Sequence, residues 1–166
     1  MLKTFLIGIV AGVFGAIVKW GWEVPFPPRN PHIPWPPDAM QRITPPQILL
    51  EQLHLPTDWS YTFSGIHLPL SIFIVHVGFS ITFAILYCLL AEKWKIVSVY
   101  RGAVFGFAVY LLAHVLVMPL IAEVPPLFLI PFEENLSELF GHIMWLWSIE
   151  LVRCDLKSRF SQSSTT

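Results

Sequence analysis

Charge is what this chain has least of. Only 13% of its 166 residues are Asp, Glu, Lys or Arg, roughly half of what a water-soluble domain carries. A surface so poor in charge cannot be mostly wet. The net charge is −1, so no global field draws in nucleic acid or acidic substrates. Cysteine is scarce too. Cys88 and Cys154 exclude a disulfide framework and read as free thiols of a reducing compartment. Chemistry-bearing motifs are also missing: there is no Gly-rich phosphate loop after a strand, no nucleophile elbow and no cysteine pair. Nothing therefore points to an enzyme. The apolar run Thr4–Val18 is followed by Lys19-Trp-Gly-Trp-Glu23 rather than a small-x-small cleavage site. It reads as an uncleaved span, not a signal peptide.

What the chain has instead is apolar length. A membrane span needs about 20 mostly apolar residues, and four segments qualify: about 2–22, 69–91, 99–121 and 135–152. The last is the most polar. Lysine and arginine orient them. Lys3, then Lys93, Lys95 and Arg101, then Arg153, Lys157 and Arg159 fall on one side only if there are four spans. Both termini are then cytoplasmic. The expected fold is all-α: an integral membrane four-helix bundle with a long proline-rich outer loop. It forms one domain over residues 1–160, with a disordered tail over 161–166. The outer loop, 23–68, holds ten of the fifteen prolines, which favour extended backbone around Pro25–Arg29. Within it Thr44–His54 predicts a short helix capped by Thr44 with prolines in its first turn. A weak internal echo, Gly12-Val-Phe-Gly15 with Ala103-Val-Phe-Gly106 and Glu23-Val-Pro with Glu123-Val-Pro, hints at a duplicated hairpin.

Ionisable groups in lipid are expensive and face the bundle interior. Gly8, Gly12, Gly15, Lys19 and Glu23 are spaced by four, three, four and four, so they share one helix face. His76, His114 and His142 each lie about seven residues from the outer end of a different span, at one common depth. Glu138 lies one turn before His142. Asn135 and Trp145 extend that face, and Tyr110 flanks His114. The expected site is thus Lys19, Glu23, His76, His114, Glu138, His142 and Trp145, with Arg29 added by the resemblance described below. Three readings stand for it. It is a hydrogen-bonded polar core that fixes helix register, or a proton-linked site, or a site for a transition metal or haem on His76, His114, His142 and Glu138. No cofactor is required by any motif, since Glu138-x-x-x-His142 matches no standard metal spacing. Glu150 and Arg153 at the inner end form a pair that anchors the last span.

Two segments carry a family resemblance. Lys19-Trp-Gly-Trp-Glu-Val-Pro-Phe-Pro-Pro-Arg29 resembles the signature after the first span of the YagU-like inner-membrane family. Residues 134–150, Glu-Asn-Leu-Ser-Glu-Leu-Phe-Gly-His-Ile-Met-Trp-Leu-Trp-Ser-Ile-Glu, resemble its last span. The matching positions are Lys19, Glu23, Pro25, Arg29, His76, His114, Glu134, Asn135, Glu138, His142, Trp145, Trp147 and Glu150. The N-terminus is shorter and the middle of the outer loop differs. The resemblance implies a bacterial cytoplasmic-membrane protein and supplies no mechanism. The functional expectation is a proton-responsive or proton-handling membrane protein linked to pH stress. A structural or assembly partner, and a metal- or haem-binding protein, are the alternatives. The bilayer is the expected partner, with a second copy or another membrane protein possible.

Overall fold

The computed structural model describes residues 1–27, 45–121 and 127–162. Helix α1, Leu2–Glu23, is followed after the proline-rich stretch by a short α2, Pro45–Gln52. A two-stranded hairpin follows, β1 Ser60–Phe63 and β2 Ile66–Pro69, running directly into α3, Leu70–Lys93. A 3-10 turn over Lys95–Gly102 reverses the chain into α4, Ala103–Val109. A π-helical stretch Tyr110–Val117 and α5, Met118–Ile121, continue that rod. A short 3-10 turn, Leu127–Leu129, precedes the long α6, Phe132–Gln162. Arg29, the Thr44 cap and the Glu123 echo lie outside the described residues.

Three helical rods are long and apolar enough to cross a membrane: Leu2–Glu23, Leu70–Lys93 and Lys95–Leu120. Helix α6 is longer, 31 residues or roughly 46 Å, but it is more polar. The reason lies in its packing. α6 lies between α1 and α4, and its buried side chains include Glu134, Ser137, Glu138, His142, Ser148, Glu150 and Arg153. They meet protein, so the helix satisfies them without being apolar all round.

Glycine sets how closely these rods approach. A Cβ at Gly8 would come 2.7 Å from the Ile85 Cα, and one at Gly12 would meet the Ile81 backbone, so α1 and α3 pack backbone to backbone. Gly15 lies against Ile149 and Trp145 of α6. A Cβ at Gly106 would stand 2.6 Å from the His142 carbonyl oxygen, which brings α4 onto α6. Between the two ends of the bundle the core is closed by Ala11, Ala84, Trp145, Leu146 and Ile149, each 1% exposed or less.

Two local features depart from the sequence expectation. The fold is mostly helical but not all-α, because the outer loop holds the β-hairpin. Ser64 and Gly65 both take positive φ, 51° and 81°, as a two-residue hairpin turn of the favoured twist requires. The third rod is not a uniform α-helix either. The Met118 amide reaches back five residues to Ala113. Pro119 lacks an N–H for the Val115 carbonyl, and its ring crowds that carbonyl, which favours wider turns just upstream. At the chain reversal, Tyr100 and Arg101 adopt left-handed backbone beside Gly102. α6 also runs through Gln162, two residues into the stretch expected as a tail.

Candidate functional site

At the end of the bundle where α1 finishes, one carboxylate collects groups from three helical rods. Glu138 stands in the second turn of α6, and its side chain is 8% exposed. Its Oε2 lies 3.2 Å from His114 Nε2, 3.4 Å from Lys19 Nζ and 3.5 Å from His142 Nδ1. Lys19 also makes a tight ion pair with Glu23, one turn further along α1. The spacing that put Lys19 and Glu23 on one face is what allows the ammonium to sit between two carboxylates.

Hydrogen-bond chemistry fixes where the protons are. His142 Nδ1 lies 2.8 Å from the backbone carbonyl of Glu138. A carbonyl only accepts, so Nδ1 carries the hydrogen and Nε2 keeps the lone pair when the ring is neutral. His114 Nε2 facing an ionised Glu138 must likewise donate, which leaves its Nδ1 to take a further proton. The two rings stand edge to face at 5.0 Å between centroids, and Tyr110 lies 6.2 Å from His114 and 5.9 Å from His142.

Trp145 forms the floor. Its indole N–H donates to Ser80 Oγ at 2.7 Å, and Ser80 donates to the Gly12 carbonyl at 2.7 Å. Its ring meets His142 edge-on at 5.9 Å. The rim is fastened by Trp22, whose indole donates to the Ser137 carbonyl at 3.0 Å, and by the Ser137 hydroxyl on the Phe26 carbonyl. Asn135 Nδ2 donates to the carbonyls of Leu127 and Ile130, 3.0 Å each, holding the preceding turn.

Sequence depth alone grouped four residues that the fold divides. His114, Glu138 and His142 have ligand atoms all within 4.8 Å of one another. His76 is outside that set. Its Nε2 lies 3.3 Å from the Ala16 carbonyl, and its ring packs on Trp20 at 5.3 Å. Equal depth does not fix azimuth: α3 packs on α1, and His76 meets the α1 backbone there. Arg29 lies outside the described residues. Ser80 was legible only as a neighbour of His76, because its bonds need the packing of α3 on α1 and α6, and the Trp22–Ser137 contact was not legible, because it needs the packing of α1 on α6.

A second polar group lies about 18 Å further along α6. Arg153 grips Glu150 through two bonds, Nε to Oε2 at 2.6 Å and Nη2 to Oε1 at 2.8 Å, and reaches Glu92 at 3.2 Å. Lys157 closes on Glu92 at 2.6 and 2.7 Å, and the Cys154 thiol donates to Glu150 at 3.2 Å. The Glu150 hydrogen bonds hold the Arg153 guanidinium charged at every accessible pH. Burial, with Glu150 beside it, pushes the Cys154 thiol up.

Membrane-length apolar rods around buried, ion-paired side chains define a multi-pass membrane protein. The chain belongs to the family described as "Protein of unknown function (DUF1440)", whose model matches residues 13–151. It is similar to the inner membrane protein YagU of Escherichia coli (strain K12), with 39% identity over 173 residues, covering 93% of this chain and 84% of that protein. No solved structure matches it significantly.

Proposed function

We propose that this chain is a proton-responsive protein of the bacterial inner membrane, with Glu138 and His114 as its proton-binding pair. One observation carries the reading: three nitrogen groups from α1, the third rod and α6 converge on a single carboxylate oxygen. Imidazole is the side chain that changes charge near neutral pH. A proton arriving at His114 would add charge beside Glu138, on the carboxylate where Lys19 and His142 also converge. The reading assigns no catalytic reaction.

Response is favoured over conduction. The layer beneath the cluster is sealed by Trp145, Leu146 and Ile149. Its serine hydroxyls are already engaged: Ser80 with Gly12 and Trp145, and Ser148 with the Trp145 carbonyl at 2.7 Å. The inner-membrane assignment rests on the relative's name. Four crossings with both ends in the cytoplasm are supported by the lysine and arginine asymmetry and by the length and buried polar face of α6. The cluster then faces the periplasm.

Tryptophan emission of the protein in nanodiscs, titrated from pH 8 to pH 5, tests the reading, because Trp145 lies against His142. The expected result is a transition in the imidazole range that Glu138→Gln and His114→Gln each shift or abolish. A flat titration, or one that both variants leave unchanged, reduces the cluster to a packing element. Reporter fusions at Asp58 should read periplasmic and at Lys95 and Ser161 cytoplasmic; a cytoplasmic signal at Asp58 overturns the topology. A second reading has its own observation. The 4.8 Å grouping of His114, Glu138 and His142 suits a first-row metal ion. Such an ion would displace the His114 proton and compete with Lys19 for Glu138. Stoichiometric metal in the purified protein, lost in His114→Gln, would favour it.

A further inference from the structure

The β-hairpin ahead of α3 has two chemically different faces. Phe63 pairs with Ile66 and Tyr61 with Leu68. Directly paired residues share a face and neighbours along a strand alternate. One face therefore carries Tyr61, Phe63, Ile66 and Leu68, and the other Ser60, Thr62, His67 and Pro69. The polar face has its own hydrogen bond, Thr62 Oγ1 to His67 Nδ1 at 3.1 Å. The apolar face is bare: Phe63 is 69% and Ile66 62% exposed, with Trp59 beside them at 56%. No Asp, Glu, Lys or Arg occurs from Trp59 to Pro69.

The hairpin's position is set by α3. The Trp59 carbonyl accepts the Leu70 amide at 2.8 Å and the Ser71 amide at 3.3 Å, and the Ser71 hydroxyl donates to the Thr57 carbonyl at 3.0 Å. These bonds fasten the hairpin to the first turn of a membrane-length helix. Apolar exposure resumes in the first turns of that helix at Phe73 and Ile74. A two-stranded hairpin alone is marginal in water, and a bare aromatic face at the head of a span is placed where headgroups meet acyl chains.

We infer that the hairpin is an interfacial anchor, laying Tyr61, Phe63 and Ile66 into the lipid headgroup–acyl boundary at the Glu23 end of the bundle, with Thr62 and His67 turned to water. The test places single nitroxide labels at Tyr61→Cys, Thr62→Cys, Phe63→Cys, Ile66→Cys and His67→Cys. The full chain carries Cys88→Ala and Cys154→Ser and sits in phosphatidylethanolamine–phosphatidylglycerol nanodiscs. Collision with oxygen and with a water-soluble nickel chelate is read at each site. The expected result is alternation: positions 61, 63 and 66 favour oxygen severalfold over the chelate, and positions 62 and 67 show the reverse. Reactivity of the same cysteines toward a membrane-impermeant maleimide should follow the same order, which gives a second reading if a label disturbs the turn. Equal access to the chelate at all five positions overturns the inference and leaves a loop in water. Shielding of 61, 63 and 66 from both quenchers, with spin–spin broadening between copies, overturns it in favour of a second chain.

Discussion

The two polar clusters along α6 are made from similar parts and behave differently. At one end Arg153 holds Glu150 with two parallel bonds, while Glu92 and Lys157 close the remaining charge. The central basic partner there is a guanidinium, charged at any ordinary pH, and the other is the exposed Lys157 on Glu92. At the other end a single oxygen of Glu138 is shared by an ammonium and two imidazoles, and imidazole, unlike guanidinium, is a side-chain type whose charge can change within the physiological pH range. The geometry at the first end is a bidentate fork that fixes orientation. At the second it is a convergence that no partner saturates alone. The difference teaches that a buried charge in a membrane bundle serves as a fastener when its partner cannot titrate, and can serve as a receiver when its partner can.

The sharpest way to break the comparison is Arg153→Met. It leaves Glu150 buried without its fork and should lower stability by about 3–5 kcal/mol, read as thermal unfolding in nanodiscs. Because the guanidinium stays charged throughout, and a buried carboxyl stripped of its partner is relieved by taking up a proton, the gap from wild type should not widen from pH 8 to pH 5.5. Glu138→Gln should cost about 1.5–3 kcal/mol, the range for hydrogen bonds to a charged group. On the proton-responsive reading proposed above, the gap should here widen on acidification, as charge gained by the imidazoles acts on the Glu138 carboxylate. A gap that also fails to widen would erase the difference between the two ends.

A smaller effect comes from geometry. Gly106→Ala puts a methyl against the His142 carbonyl, an overpacking of about 1–3 kcal/mol. It should disturb the pH-dependent emission and leave the Arg153 end unchanged, which amide exchange resolved along α6 would show. The smallest effect is at Cys154. Its thiol is surface-exposed but raised by burial and by Glu150, so alkylation at pH 8 should be slower than for a free thiol and faster in Glu150→Gln. The sign for stability follows. The folded state keeps this proton to higher pH than the unfolded state, so the contribution is full below the ordinary thiol range and fades as pH rises through the raised value.

Much of this bundle was legible because lipid imposes a simple code: apolar length gives the rods, and helical spacing gives shared faces. Lys19, Glu23, Glu138 and His142 could be grouped because each pair lies one turn apart on one helix. His114 joined them by depth. His76 had the same depth and a different azimuth, which only the packing of α3 on α1 decides. The hairpin was hidden by the loop's prolines, although Phe63-Ser-Gly-Ile66 between alternating residues carries a turn signal. The π-helical stretch has only Pro119 to announce it. Hydropathy also undersold α6, because an average over residues cannot tell a polar face turned inward from one turned outward.

That inward polar face bears on how the protein is made. Outside its bundle α6 would present three glutamates, a histidine and an arginine from its buried side, and groups of that kind each resist entry into lipid by a few kcal/mol in membrane insertion. The helix becomes compatible with the membrane only when α1 offers Lys19 and the third rod offers His114. In the four-span topology proposed above, its place after both in the chain means that synthesis delivers those partners first, so the order of the helices would itself be a provision for inserting the least greasy of them last.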